Sequence, residues 1–214
     1  MLTARMPAAT SSQDPGPDAS DVCCAAQHAG PWPTPPDASE SAQAYFARLV
    51  DDDRQEEAIR FVAAWLGPRR AVWWGSLCVW RSLRSNDDAV VAHNAAIDAA
   101  VAWVIAPNEE NRRAAGVAAE AAGYATAAGA SATAAFWSEG SISLPGQPEV
   151  PPPAGVSAKA AANAVLMAAA NPSAPVRHRT LRQSLRMAAE ILGGANLWPY
   201  APFRKTSPPQ EASQ

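Results

Sequence analysis

The chain has 214 residues, 48% of them hydrophobic, 17% charged and 7% aromatic, with a formal net charge of −3. That length suits one domain and is too long for a disulfide mini-protein. Three cysteines are too few for a zinc ribbon, glycines without a three-residue period exclude collagen, and no run of about 18 uncharged apolar residues argues for a transmembrane helix. Alanine supplies 51 residues, against 34 Leu, Ile, Val and Phe together. Because alanine has the highest helix propensity, the expected fold is all-α: a single compact domain of about six to eight helices, flanked by disordered proline-rich tails.

Residues 1-36 are rich in Pro, Ser, Asp and Ala and read as a disordered arm that ends in PWPTPP. The helical domain is placed over 37-194. Asp37-Ala-Ser-Glu40 resembles a capping sequence, so a first helix is expected from there to about Asp51, burying Tyr45, Phe46 and Leu49. A second runs from about Asp53 to Leu66, with Ile59, Phe61, Val62, Trp65 and Leu66 on its apolar side. Gly67-Pro68 then ends one helix and begins the next, since proline is tolerated in a first turn. The third helix, about 69 to 84, carries Trp73, Trp74, Leu77, Cys78, Trp80 and Leu83 on a stripe broad enough for a central position.

Asn86-Asp87-Asp88 suits the start of a fourth helix, with Val90, Ile97, Val101 and Val104 at helical spacing before Pro107. Asn108 caps a fifth that opens with Glu109-Glu110 and closes near Gly123. A sixth covers about 126 to 138 and holds Phe136 and Trp137. A Pro-rich loop over 140-156 follows, long for a compact domain and thus either functional or a surface linker. Ser157 is expected to cap a seventh helix to about Ala170. The last helix opens between Pro172 and Pro175 and ends at Gly193-Gly194, with Leu181, Leu185, Ala188 and Leu192 inward and Arg179, Arg182 and Arg186 on another face. Residues 195-214 form an aromatic and proline-rich tail, expected to be largely disordered.

Charge and motif content narrow the function mainly by exclusion. Residues 1-37 and 38-140 are net acidic, and 141-214 net basic, a balance poor for phosphate backbones, so no nucleic-acid partner is expected. Neither a G-K-[ST] phosphate loop nor a G-x-G-x-x-G turn is present, which disfavours ATPases, kinases and dinucleotide enzymes. His28, His93 and His178 lack a serine or cysteine nucleophile motif, no glutamate has histidine three residues later, and no Cys/His cluster has zinc spacing. No catalytic residue, cofactor or metal ligand is therefore assigned. Adjacent Cys23 and Cys24 make a poor disulfide framework, and the N-terminus lacks a 7–15-residue apolar segment, so a cytoplasmic protein without membrane insertion is expected.

Eight tryptophans in a chain poor in Leu and Phe are best read as bulk that fills an alanine-lined core. Trp32 and Trp198 lie beside prolines in the flanking segments. With Tyr200 and Phe203, and with the basic face of Arg179, Arg182 and Arg186, they are the candidate contacts for a protein partner.

The strings GPRRAVWWGSLCVWRSL, WVIAPNEENRRAAGVAAEAAG and AFWSEGSISLPGQPEVPPP, followed by an alanine-rich AVLMAAA segment, together resemble an uncharacterised bacterial all-helical family of unknown function. Its pattern is P-R-R-x-A-V-W-W, then P-x-E-E-N-R-R-A-A, then F-W-S-G-G-S and a proline run; Glu139 departs from the pattern's glycine. The resemblance covers about Asp37 to Gly194. It implies that Arg69, Arg70, Trp73, Trp74, Asn111, Arg112, Arg113, Phe136 and Trp137 belong to a shared core or a shared surface. It also implies an association with type VI secretion, and no catalytic residue. The expected function is that of a non-enzymatic accessory or adaptor protein with protein partners, among them secretion-system components. The alternative is a small-ligand module with a Trp-lined groove between the third and fourth helices.

Overall fold

The computed structural model describes residues 16–26, 32–83, 89–144, 146–170 and 173–195. Among them are eight helices and no strand: α1 (Ala19–Ala26), α2 (Ala42–Asp51), α3 (Gln55–Ser82), α4 (Ala89–Ile105), α5 (Glu109–Ala122), α6 (Ala127–Phe136), α7 (Val156–Ala168) and α8 (Ala174–Leu192). The all-α class expected from alanine content is what the chain adopts.

α3 is the axis, packing against α1, α2, α4, α6, α7 and α8. Its helix is interrupted at Gly67, whose φ of 72° and ψ of 165° fall outside the helical region, so the Gly67-Pro68 break sits where the sequence put it. α6 is the most enclosed element: every residue from Ala128 to Ala135 is buried, among α3, α4, α5 and α7. Small side chains let those neighbours come close, and the hydroxyls of Ser76 and Ser131 meet at 2.9 Å across the α3–α6 contact, so the polar atoms at that seam are paired. Bulk comes from large rings around this alanine centre. Trp74 is fully buried, Trp103 is 2% exposed, and Tyr45, Phe61 and Trp65 pack at ring separations of 4.7 and 6.1 Å.

Three element boundaries differ from the sequence expectation. Asp37 and Glu40 do bond reciprocally, Asp37 N–H to Glu40 Oε2 at 2.9 Å and Glu40 N–H to Asp37 O at 3.1 Å, but this closes a turn. The helix begins only after Ser41, which accepts from Ala44 N–H. Ser157 is not a cap: Gly155, in the left-handed region, precedes α7, and the Ser157 hydroxyl donates to Ala134 O at 2.8 Å in the α6–α7 contact.

The third difference is largest. The arm expected to be disordered over 1-36 contains α1, which buries Ala19, Val22, Cys23 and Ala26. Those positions recur at i, i+3, i+4 and i+7, a helical stripe short enough to be lost in the proline-rich composition around it. α1 is tied to the start of α2 by Ala19 N–H to Glu40 O and Ala42 N–H to Pro17 O, both 2.9 Å. Residues 32–36 then lie along α2 and α3: Thr34 N–H donates to Glu57 at 3.0 Å, Tyr45 Oη–H to Thr34 O at 2.5 Å, and Arg48 to Pro35 O at 3.1 Å.

Candidate functional site

The polar residues of the shared strings are used mainly to close helix ends. The last carbonyls of a helix lack intrahelical donors. At the end of α4, Arg69 Nε donates to Val104 O at 2.7 Å and Nη2 to Ile105 O at 3.2 Å, while Asn111 Nδ2 reaches Ala106 O at 2.9 Å. Arg70 Nε serves Leu66 O at 2.8 Å, next to the α3 break.

Arg112 goes further. Its side chain is 0% exposed, yet its donors are engaged: two bonds of 2.7 Å to the Glu109 carboxylate, one of 2.6 Å to Phe136 O at the end of α6, and one of 2.8 Å to Ser141 O in the proline loop. The guanidinium also lies 5.0 Å from the Phe136 ring centre. Arg113 repeats the pattern half-exposed, pairing with Glu109 at 2.7 Å and donating to Ser143 O. These hydrogen bonds hold the Glu109 carboxyl well below its ordinary range, down to about 2, the Arg112 bond contributing most and the Arg113 bond next. Gly140 permits the arrangement: its φ is +67°, and a Cβ there would stand 3.0 Å from Arg112 Nε. Glu139, the departure from the pattern, is exposed and unconstrained by this contact.

Loop 140–156 is thereby anchored at its start. Ile142 N–H donates to Val150 O at 2.9 Å, and Val150 N–H to the Ser141 hydroxyl at 3.0 Å, so the first half folds back on itself. Pro148, Glu149, Pro151 and Pro153 remain exposed, as do Leu144 at 75% and Val150 at 48%. Trp137 and Pro152 are half-buried at the loop's other edge, where a groove of about 240 Å³ runs beside Gly67 and Ser157.

Trp73 and Trp74 do not line an open groove between α3 and α4. Both are buried, and Trp74 Nε1–H donates to Ser184 O of α8 at 2.8 Å. Trp32, from the supposed arm, packs back: its indole is edge-on to Phe61 at 6.3 Å and donates to Cys23 O at a long 3.4 Å. It is half-buried in a second groove of about 240 Å³, together with Arg60, Lys159 and Asn163, none of which the sequence reading singled out. The available signal was that Lys159 is one of only two lysines.

Along α8, Arg179, Arg182 and Arg186 are exposed, as the periodicity indicated. Arg177 pairs with Glu56 at 2.7 Å, His178 with Asp53 at 2.8 Å, and Arg182 with Asp53 at a loose 3.8 Å. No ion-pair partner exists for Arg179 or Arg186 among the described residues. Trp198, Tyr200 and Phe203 lie outside the described residues.

Two of the free cysteines are buried. Burial pushes the Cys78 thiol up to about 12 and the Cys23 thiol up to about 11, so neither is a ready thiolate nucleophile. Among the described residues, no group of three or more His, Cys, Asp or Glu side chains could hold a metal ion, and no helix is long and apolar enough to cross a membrane.

No curated protein and no solved structure matches the chain. A family model does, over residues 45–192, from α2 to the end of α8, so α1 and the 32–41 segment precede the matched span. Through that span, which carries the arginine clamp and its loop, the chain belongs to a family of unknown function, DUF6931.

Proposed function

We propose that this protein is a non-enzymatic accessory or adaptor protein that acts through protein contacts, as a cytoplasmic component tied to a type VI secretion apparatus, and that loop 140–156 is its contact surface. The observation that carries the reading is the contrast between the loop's exposure and its anchoring. Leu144 and Val150 stand in solvent, while the carbonyls of Ser141 and Ser143 are held by Arg112 and Arg113. A segment ordered before it meets a partner loses less entropy on binding, which favours recognition of an extended proline-containing stretch.

A photo-crosslinking residue placed at Val150 tests this in the native bacterium, with Val117, exposed on α5, as the control position. The reading expects one defined adduct, with a secretion component, from position 150 and none from 117. Equal labelling at both positions, or none at 150, would remove the loop from the account. A defined adduct with an unrelated protein would keep the adaptor role and discard the secretion assignment.

A further inference from the structure

We propose that the groove between α1, α3 and α7 is a binding site for a small organic carboxylate with a flat apolar body. This inference is independent of the role given to the proline loop. Ala158 and Ala162 lie along the α7 side, Trp32 contributes an indole, and Arg60, Lys159 and Asn163 bring nitrogen donors. Lys159 and Asn163 are four residues apart on α7, so they project from one face, one above the other. Neither side chain has a hydrogen-bond or ion-pair partner among the described residues.

Charge selects the ligand class. Arg60 lies 3.5 Å from Glu56, which itself is held at 2.7 Å by Arg177, while the Lys159 ammonium is uncompensated. The rim therefore carries net positive charge that suits an anion, and the indole beside it favours one with an apolar body over inorganic phosphate. An ammonium, a guanidinium and a carboxamide offer donors for both oxygens of a carboxylate. The indole is fixed in advance by Phe61 and Cys23 O, so an apolar body meets an ordered wall. Chain order adds a consequence: Arg60, Lys159 and Asn163 lie within the family-matched span, whereas Trp32 comes from the segment before it and completes the groove.

Sodium benzoate is a suitable probe, with neutral benzamide and inorganic phosphate as comparisons, read on the full chain by two-dimensional NMR. Trp32→Phe assigns the Trp32 indole N–H signal. Benzoate is expected to shift that signal and the Asn163 carboxamide saturably, and benzamide is not. Lys159→Ala, at an exposed position that leaves the core untouched, should weaken benzoate binding by about tenfold, and Lys159→Arg should largely restore it. The proposal is overturned if benzoate on the order of 10 mM leaves both signals in place, if benzamide binds equally, if phosphate binds as well as benzoate, or if Lys159→Ala has no effect.

Discussion

At the start of α5, Arg112 and Arg113 direct their guanidinium donors to Glu109, to the end of α6 and to loop carbonyls. Along α8, Arg179 and Arg186 face solvent and reach no ion-pair partner among the described residues. Both stretches carry arginines on a helix. What separates them is where each helix face points: α5 turns Arg112 inward against α6 and the loop, so its charge is desolvated and every donor needs an acceptor. α8 instead turns Leu181, Leu185 and Ala188 inward and leaves Arg179 and Arg186 hydrated. Arginine content thus measures structural commitment in one place and surface charge in the other.

Breaking the clamp should give the largest effect. Arg112→Met keeps much of the volume but leaves the carbonyls of Phe136 and Ser141 without this donor, and should cost about 3–5 kcal/mol in chemical denaturation. Gly140→Ala should cost about 1–3 kcal/mol, because a left-handed φ and the nearby Arg112 side chain both oppose a Cβ. A third test uses acid. The folded-state pKa of Glu109 is depressed, so its contribution to stability is complete above the ordinary value of 4.5 and fades as pH falls towards about 2. Glu109→Gln should therefore lower stability at neutral pH and flatten the acid limb of a denaturation profile across that window. At the other extreme, Arg179→Glu with Arg186→Glu should change stability by no more than about 0.5 kcal/mol, since no buried contact is lost. A loss there as large as that of Arg112→Met would erase the distinction between the two stretches.

Much of the helical framework was legible from local chemistry. Asn108 accepts from Asn111 N–H as a cap should, Gly67 interrupts α3, and Ile97 and Val101 are buried at their helical spacing. α1 was legible in principle through Ala19, Val22, Cys23 and Ala26, but its eight residues gave a signal weaker than the surrounding prolines. The polar network was not legible. Arg69 reaches a carbonyl 35 residues away, and Arg112 bonds carbonyls 24 and 29 residues away. Periodicity tells which face of a helix is apolar, whereas the carbonyl an arginine finds depends on how helices end against one another in space. The resemblance implied a shared core or a shared surface for Arg69, Asn111 and Arg112; in this chain Arg112 is buried, and Arg69 and Asn111 close the end of α4. The groove with Trp32 was not legible because one wall comes from a segment of proline-rich composition.

Buried Arg112 and half-exposed Arg113 together hold an exposed proline loop in one arrangement. Hydrogen exchange of the Ile142 amide, bonded to Val150 O at 2.9 Å, reports on that arrangement most directly. Clear protection of this amide is expected in the native chain and its loss in Arg113→Ala, with core amides of α3 and α6 unchanged. Exchange of the native Ile142 amide at the rate of an unstructured peptide would contradict it.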